Sequence, residues 1–300
     1  MKRAAKIAIA TALIAAAQLA SLPGAHAAFP GTNGDIVFNR LTNRQFDIWA
    51  VDADSTSTVR LTRTKRANED MPDWNADGTK IAYARCGRGE LSNCDIWVMD
   101  ADGSNRTKLT TTPVAQETWP VWSPDGTEIA YTSNLDDPSQ DVYVMDADGS
   151  NQTRLTTTPG FDAFPEWSPD GTRIAFTSDR SALDDIYVMD ADGSNQTRVT
   201  KGRKIDERPD WSPDGSTIVF SRNGNDIWSV APDGTGLTQI TFTDKRDEFA
   251  PTYSPDGTKI AFNRVTSSGR LGVWIVNADG TGAIQQTFGK QDLFPDWGPS

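Results

Sequence analysis

The sequence predicts an all-β protein, a six-bladed β-propeller with four-stranded blades, and three observations lead to that prediction. No window after residue 27 keeps a helical period. A block of the form WSPDGT recurs at spacings of 48, 45, 44, 42 and 44 residues, starting at Trp74, Trp122, Trp167, Trp211, Tyr253 and, truncated, Trp297. A second block, of the form DIWVMDADGSN, also occurs six times, starting at Asp47, Asp95, Asp141, Asp185, Asp226 and, in degenerate form, Gly272. A repeat of about 45 residues is typical of one propeller blade.

Each repeat predicts four short strands separated by turns. In the third repeat, TWPVW is the first strand, and the SPDG that follows has proline and glycine where a tight turn needs them. TEIAYTS, with alternating apolar and polar residues, is the second strand, and DVYVMDA is the third. The Asp-Gly pair of DADGSN predicts a hairpin turn into TRLT, the outermost strand.

The two ends of the repeat region predict how the ring closes. The first strand, from Gly34, has the pattern of a second blade strand, so blade one lacks its own innermost strand. The last segment, Asp292 to Trp297, has the pattern of an innermost strand with no blade after it. We expect the C-terminal strand to complete blade one, which pairs the sheet edges at the seam.

Residues 1–27 have the features of a secretory signal peptide, which leaves residues 28–300 for the propeller. Lys2, Arg3 and Lys6 precede an alanine-rich apolar run, and Ala25-His26-Ala27 is a small-residue cleavage pattern. The run is too short and too interrupted to span a membrane, and no later segment is suited to do so. The sequence therefore predicts a periplasmic or secreted protein with no transmembrane segment after cleavage.

Charge and histidine content narrow the possible functions. Losing Lys2, Arg3 and Lys6 with the leader takes the formal net charge from −12 to −15, which disfavours nucleic acid as a partner. The only histidine, His26, lies in the predicted leader, so histidine-based catalysis and histidine zinc sites are excluded from the mature chain.

Cys86 and Cys94 flank a seven-residue segment in a chain that is predicted to be exported. This arrangement predicts a disulfide, with two free thiols as the alternative. Closing so short a loop contributes about 2–3 kcal/mol as an entropic upper estimate.

An acidic residue stands three positions before the proline of every predicted innermost strand. These residues are Glu69, Glu117, Asp162, Asp206, Glu248 and Asp292. Their shared position predicts a ring of carboxylates around one channel mouth, where two carboxylates about 8 Å apart repel by roughly 2 kcal/mol. Such a ring favours a cation, with calcium preferred over magnesium and two or three acids as direct ligands. The alternative is that each acid accepts a backbone N–H in its own blade.

Other repeated residues have simpler interpretations. The DADGSN segments resemble the start of a calcium loop but lack its later ligands, since Thr111 stands at the twelfth position counted from Asp100. We interpret them as hairpin turns, and we interpret the aromatic residues at one position of the third strands as packing between blades. The predicted loops between strands two and three vary and share one end with the acidic ring, so binding specificity is expected there.

The recurring W-SPDG-T-IAF and DIWVMDADG-LT pattern resembles the propeller repeats of the TolB-like family, over about residues 34–297. This resemblance implies a role in the cell envelope, docking to a peptidoglycan-associated lipoprotein, and calcium in the channel. The α/β domain that precedes the propeller in TolB is expected to be missing, which argues against TolA as a partner. Related oligopeptidases add a hydrolase domain, but the chain has no G-x-S-x-G motif.

The favoured functional hypothesis is a monomeric, non-catalytic scaffold that binds an envelope or extracellular protein, or a small ligand, at the channel mouth. The alternative is a glycosidase or lyase that uses channel acids, with or without a metal. An active site needs two acids in different environments, whereas the predicted ring is nearly uniform. A third hypothesis is a fragment that has lost a catalytic partner domain.

Overall fold

The computed structural model describes residues 31–87, 93–243 and 246–300, and within them the chain is all-β. The predicted signal peptide, residues 1–27, lies outside the described residues and stays a prediction. The strands are, in chain order, β1 (Asn33–Thr42), β2 (Gln45–Asp52), β3 (Thr58–Arg60), β4 (Asn68–Trp74), β5 (Lys80–Cys86), β6 (Cys94–Asp100), β7 (Thr107–Lys108), β8 (Glu117–Trp122), β9 (Glu128–Ser133), β10 (Asp141–Asp146), β11 (Thr153–Arg154), β12 (Asp162–Trp167), β13 (Arg173–Ser178), β14 (Asp185–Asp190), β15 (Thr197–Arg198), β16 (Asp206–Trp211), β17 (Ile218–Arg222), β18 (Asp226–Val230), β19 (Thr238–Gln239), β20 (Glu248–Tyr253), β21 (Lys259–Val265), β22 (Leu271–Asn277), β23 (Ile284–Gln285) and β24 (Asp292–Pro299).

These strands form six antiparallel four-stranded sheets, which are the six predicted blades. Blade one has the order β24-β1-β2-β3, and blades two to six each use four consecutive strands, from β4–β7 to β20–β23. The predicted closure is confirmed, because β24 pairs with β1, with Trp297 opposite Ile36 and Asp292 opposite Arg40. The first and last described strands therefore share one sheet, and the ring has no open seam.

The hydrophobic core lies between the blades, in six clusters that each join two neighbours. The cluster between blades three and four packs Val142 and Val144 against Trp167 and Phe176. Because a blade has a neighbour on both faces, its second strand is buried on both sides, and even Thr132 and Ser133 of β9 are buried. The alternation expected for this strand therefore does not mark a solvent-facing side.

The outermost strands are only two or three residues long, and a threonine side chain extends their pairing. In every blade the hydroxyl oxygen of this threonine accepts the backbone N–H of the second residue of the third-strand block, as Thr110 does from Ile96 at 2.9 Å. The six threonines are Thr62, Thr110, Thr156, Thr200, Thr241 and Thr287. The threonine that ends every repeat, in an LT pair in three of the six, thus satisfies a buried donor that the short strand cannot reach.

The predicted turns form as expected at the end of the ring that lies away from the loops between strands two and three. Gly103 of a DADGSN turn has φ +81°, a conformation that favours glycine, and a Cβ there would collide with the backbone of Leu61 in the preceding blade. The glycine therefore serves both the hairpin turn and the close approach of two blades.

The predicted disulfide is confirmed between Cys86, the last residue of β5, and Cys94, the first residue of β6, with an S–S distance of 2.03 Å. It joins the second and third strands of blade two where the chain passes from one to the other. A disulfide is typical of proteins that fold in an oxidising compartment.

Removal of residues 292–300 should prevent cooperative folding. Without β24, blade one loses its innermost strand, and Trp297, which is 3% exposed between blades six and one, leaves the core. We expect the truncated chain to lose its cooperative thermal transition, measured by circular dichroism.

A circular permutant provides the matched control, because it keeps every strand and moves only the chain break. Residues 289–300 would be joined by a short turn to residue 31, which is feasible because Pro299 pairs with Asn33. The permutant should melt within a few degrees of the native order. A truncated chain that melts as cooperatively as the permutant would contradict the closure mechanism.

Candidate functional site in the central channel

The six innermost strands meet around the central channel and share one six-residue pattern. The pattern starts with an acid, has proline at its fourth position and ends in Trp or Tyr. At the third position the backbone is left-handed, with φ between 50° and 56°, and the pairing with the second strand is interrupted by a bulge. The residues at this position are Met71, Trp119, Phe164, Arg208, Ala250 and Phe294.

The bulge brings the third, fourth and fifth positions of every strand to the wall of one cavity of about 90 Å³. The residues at the fifth position are Asp73, Val121, Glu166, Asp210, Thr252 and Asp296. Ligand pockets usually measure about 300–1,000 Å³. The cavity is therefore large enough for a small chemical group or a few water molecules rather than for an extended ligand.

Three of the fifth-position carboxylates hold the next blade in place. Asp296 accepts the backbone N–H of Trp74 at 2.7 Å, Asp73 that of Trp122 at 2.8 Å, and Asp210 that of Tyr253 at 2.5 Å. Each bond runs from one innermost strand to the next around the ring. These acids therefore link blades as well as line the cavity.

The enclosed position of these carboxyl groups raises their pKa values. Burial raises the pKa of Asp210 to about 8 and that of Asp296 to about 6, against the opposing effect of the N–H bonds they accept. Burial, and then the neighbouring carboxyl groups, raise the pKa values of Asp73 and Glu166 well above their usual range. Burial in the channel thus favours the protonated form of these carboxyl groups relative to free carboxylic acids.

Aromatic side chains and one arginine also line the cavity, from the third positions of the innermost strands. Trp119 contacts Phe164 and Phe294, in each case with ring centroids 4.7 Å apart. The guanidinium of Arg208 lies 5.2 Å from the ring of Trp119, 4.7 Å from Phe164, 5.4 Å from Phe294 and 5.7 Å from Phe249. These are cation–π distances, and burial lowers the pKa of Arg208.

The six acids predicted to ring the channel occupy a different place, because the described cavity wall contains none of them. All six are almost fully buried inside their blades. Four form ion pairs with an arginine near the end of the second strand of their own blade. These are Asp292 with Arg40 at 2.6 Å, Asp162 with Arg180 at 2.7 Å, Asp206 with Arg222 at 2.7 Å, and Glu248 with Arg264 at 2.5 Å.

The remaining two acids have weaker partners. Glu69 lies 3.9 Å from Arg106, and Glu117 accepts a hydrogen bond from the hydroxyl of Thr112. Burial raises the pKa of Glu117. Of the six, Asp292 also accepts a backbone N–H, from Gly289 at 2.9 Å. The expected alternative, a backbone donor in each blade, therefore holds for Asp292, while side-chain donors predominate elsewhere.

The paired arginines also explain the aromatic position of the third strands. Arg40 stacks over Trp49 with its guanidinium carbon 4.7 Å from the ring centroid, and Arg264 over Trp274 at 4.4 Å. Acid, arginine and aromatic ring thus form a layered contact across the first three strands of a blade. The aromatic residues are structural, as the sequence indicated, but an arginine accounts for part of their packing.

As placed, the six acids do not fit a shared calcium site. An ion would have to displace guanidinium groups that already neutralise the carboxylates. Over residues 31–87, 93–243 and 246–300, no three Asp, Glu, His or Cys side chains are grouped closely enough to hold a metal ion. Calcium binding stays a prediction that only a titration can test.

The fifth-position acids and Arg208 were missed at the sequence level, although a signal for the acids was present. The residue just after the repeated proline is acidic in four of the six strands. The first position, which is acidic in all six, gave the stronger sequence signal. The bulge places the fifth-position side chains, and not the first-position acids, on the cavity wall. The sequence does not reveal this bulge, because its left-handed position holds five different residue types in the six blades.

These features define a closed six-bladed β-propeller with a narrow channel lined by buried carboxyl groups. Residues 120–300 match the model of the TolB beta propeller domain, and the chain belongs to that family. No curated protein sequence matches the chain.

Many solved structures share the fold, among them the following three. TolB from Acinetobacter baumannii aligns with a TM-score of 0.77 and 23% identity, over 89% of this chain and 67% of that one. A putative TolB from Agrobacterium tumefaciens aligns at 0.68 and 23%, over 88% and 90%. An oligogalacturonate lyase from Vibrio parahaemolyticus aligns at 0.56 and 14%, over 78% and 76%.

The raised pKa values predict that stability falls as pH rises. A folded state that binds protons more tightly than the unfolded state loses stability between the unfolded and folded pKa values, here from about 4 to 8. Asp210→Asn should raise the melting temperature at pH 8.5 by a few degrees and leave it nearly unchanged at pH 4 or below, because the amide oxygen can still accept the Tyr253 N–H.

Asp54→Asn, at an exposed carboxylate outside the cavity, is the matched control and should leave the pH profile of melting unchanged. If Asp210→Asn and Asp54→Asn gave the same profile as the native chain, the channel carboxyls would not be the source of the pH dependence.

A second prediction separates calcium binding from ion pairing. Because Asp162 and Asp206 neutralise Arg180 and Arg222, Asp162→Asn with Asp206→Asn should lower the metal-free melting temperature by several degrees. A calcium-binding ring of acids predicts that the double variant melts at a higher temperature than the native chain when no metal is present. It also predicts that millimolar calcium raises the melting temperature of the native chain by a few degrees and has no such effect on the variant. Scanning calorimetry with calcium or with chelator distinguishes the two.

Proposed function

We propose that this protein is an exported, non-catalytic TolB-like scaffold that docks a protein partner through its channel-mouth end. The channel-mouth end consists of the segments that connect strands two and three within blades and strands four and one between blades. In an antiparallel blade these connections all lie at one end of the ring. The proposal depends on the contrast between this end and the opposite one.

Exposed apolar side chains concentrate at the channel-mouth end. Six of the nine large exposed hydrophobic side chains in the described residues belong to its segments, and Val114 and Phe242 are 82% and 75% exposed. The six are Val114, Leu135, Leu183, Ile205, Phe242 and Phe288. Exposed apolar groups of this size favour a protein interface when they share one face.

The opposite end offers little to a partner, because its repeated turns satisfy their own polar groups. Ser212 and Ser216 hydrogen-bond to Asp214 and lower its pKa, and Asn105 donates to Asp100 at 2.6 Å. The bond from the turn serine to the aspartate two residues later is found in four blades, and the bond from asparagine to aspartate in three. Uniform, internally bonded turns suit a structural surface, whereas the channel-mouth segments differ from blade to blade.

Further observations support export and the class of partner. The disulfide and the signal-peptide pattern favour the periplasm or the outside of the cell. In the part of the chain that the structure describes, no helix is both long and apolar enough to cross a membrane. Membership of the TolB propeller family favours an envelope protein as the partner, such as a peptidoglycan-associated lipoprotein, bound by a single copy of this chain.

A carboxylate-based glycosidase or lyase is the second candidate, because the channel holds carboxyl groups with unequal pKa values. Two observations favour the scaffold instead. Asp73, Asp210 and Asp296 are engaged by backbone N–H groups, and the cavity of about 90 Å³ is too small for a sugar chain. Activity on acidic oligosaccharides that Glu166→Gln abolishes would support the enzyme.

Replacing apolar groups at the channel-mouth end should abolish partner capture. We expect Phe242→Ser with Phe288→Ser to lose a cross-linked species that the native exported protein forms in envelope preparations. The substitutions remove exposed side chains, so the melting temperature should change by no more than a few degrees.

The matched control replaces two exposed apolar residues outside that end, Leu237 and Ile284, which are 44% and 56% exposed. Leu237→Ser with Ile284→Ser should capture the same species as the native chain. Equal capture by both double variants, or loss in the control alone, would contradict docking through the channel mouth.

A further inference from the structure

Arg208 is a cation enclosed in the channel without an anionic or hydrogen-bonding partner for its guanidinium. Its Nε atom is buried and unbonded, and in the described part of the chain the group forms no ion pair. The other channel-facing blades have neutral side chains at this position. A buried guanidinium usually has a carboxylate or carbonyl partner, as Arg222 has in Asp206 of the same blade.

The four aromatic rings around Arg208 account for its position but not for its donors. Their faces attract the positive charge at 4.7–5.7 Å, yet they leave the in-plane N–H groups without strong acceptors. Glu207 favours the charged form of Arg208 electrostatically without forming an ion pair. The aromatic rings thus hold the guanidinium in position while its N–H groups stay available as donors. Arg208 is partly exposed, so a ligand can reach it.

The cavity beside Arg208 suits a small oxyanion in size and in hydrogen bonding. Its volume of about 90 Å³ accommodates a carboxylate group. The carboxyl groups of Asp73, Glu166, Asp210 and Asp296 line the same cavity, and burial raises their pKa values, which favours the neutral form that can donate a hydrogen bond. A carboxylate that enters the cavity therefore meets one cation, and burial of the surrounding carboxyl groups disfavours their negative charge.

We propose that Arg208 recognises a carboxylate group that enters the central cavity from the channel-mouth end. The guanidinium supplies charge-assisted hydrogen bonds that the fold leaves unused, and the aromatic rings hold it in place for them. This inference rests on the proposed binding role of that end and specifies the chemical group recognised there. The carboxylate belongs either to a free small acid or to the terminus of a peptide chain.

The test uses ¹³C-labelled acetate as the probe and the native exported protein, with binding followed by NMR line broadening. Acetate should bind saturably, and acetamide, which has the same shape without the charge, should not. Arg208→Met should weaken acetate binding roughly ten- to hundredfold, and Arg208→Lys, which keeps the charge but not the planar donor pair, roughly tenfold. Thermal melts of both variants verify that they fold.

Arg173→Gln is the matched control, because Arg173 also stacks on an aromatic ring, that of Trp211 at 4.8 Å, but lies outside the cavity wall. It should bind acetate as the native protein does. Absence of acetate binding in the native chain, or equal binding by folded Arg208→Met, would overturn the inference.

Competition with the peptide acetyl-Ala-Ala-Ala distinguishes the two sources of the carboxylate. A peptide that displaces acetate only when its C-terminus is free indicates a chain terminus, and acetate binding without competition indicates a free small acid. Failure of this inference is separable from failure of the proposed function. If the native protein captures its partner but does not bind acetate, only the Arg208 site is contradicted. If acetate binds but Leu237→Ser with Ile284→Ser is the only double variant that loses partner capture, only docking through the channel-mouth end is contradicted.

Discussion

The left-handed residue in each innermost strand is the constraint on which the channel depends. Its backbone N–H leaves the sheet of its own blade and, in three blades, bonds to a side chain of the preceding blade. Phe164 donates to Thr132, Arg208 to Thr177 and Phe294 to Asn263, at 2.8–3.2 Å. A non-glycine residue adopts such a backbone at some cost, which contacts from both blades offset. The same bulge directs three residues per blade into the channel.

Buried acids in this protein are accommodated in two different ways. Inside the blades, acids such as Asp206 and Asp292 face an arginine, often in a two-pronged pair. In the channel, fifth-position carboxyl groups accept backbone N–H groups from the next blade, and burial raises the pKa values of Asp73 and Asp210. The first arrangement lies within single blades, and the second predicts a contact between blades whose stability depends on pH.

The two ends of the ring differ in their side chains, and we propose that only one of them serves recognition. At one end the repeated turns use aspartate, serine and asparagine to bond their own backbone, which fixes the geometry of each blade. At the other end the chain crosses between blades and carries exposed apolar groups such as Val114 and Phe242. These segments differ from blade to blade, while the same four-stranded sheet recurs in every blade.

Periodicity and turn chemistry in the sequence determined the number of blades, the closure by residues 292–297 and the Cys86–Cys94 bridge. These properties are local, because each depends on spacing along the chain. The identity of the channel acids was not local. A bulge between the second and fifth positions moves side chains from one face to another, so Asp162 pairs inside its blade while Glu166 lines the cavity.

The surroundings of Arg208 were decided by tertiary structure alone. The rings around it come from four other blades, through Trp119, Phe164, Phe249 and Phe294. In the sequence these residues stand about 40 to 90 positions from the arginine and look like isolated apolar residues. Closing the ring brings them within cation–π distance, because only the channel axis lies close to all six innermost strands.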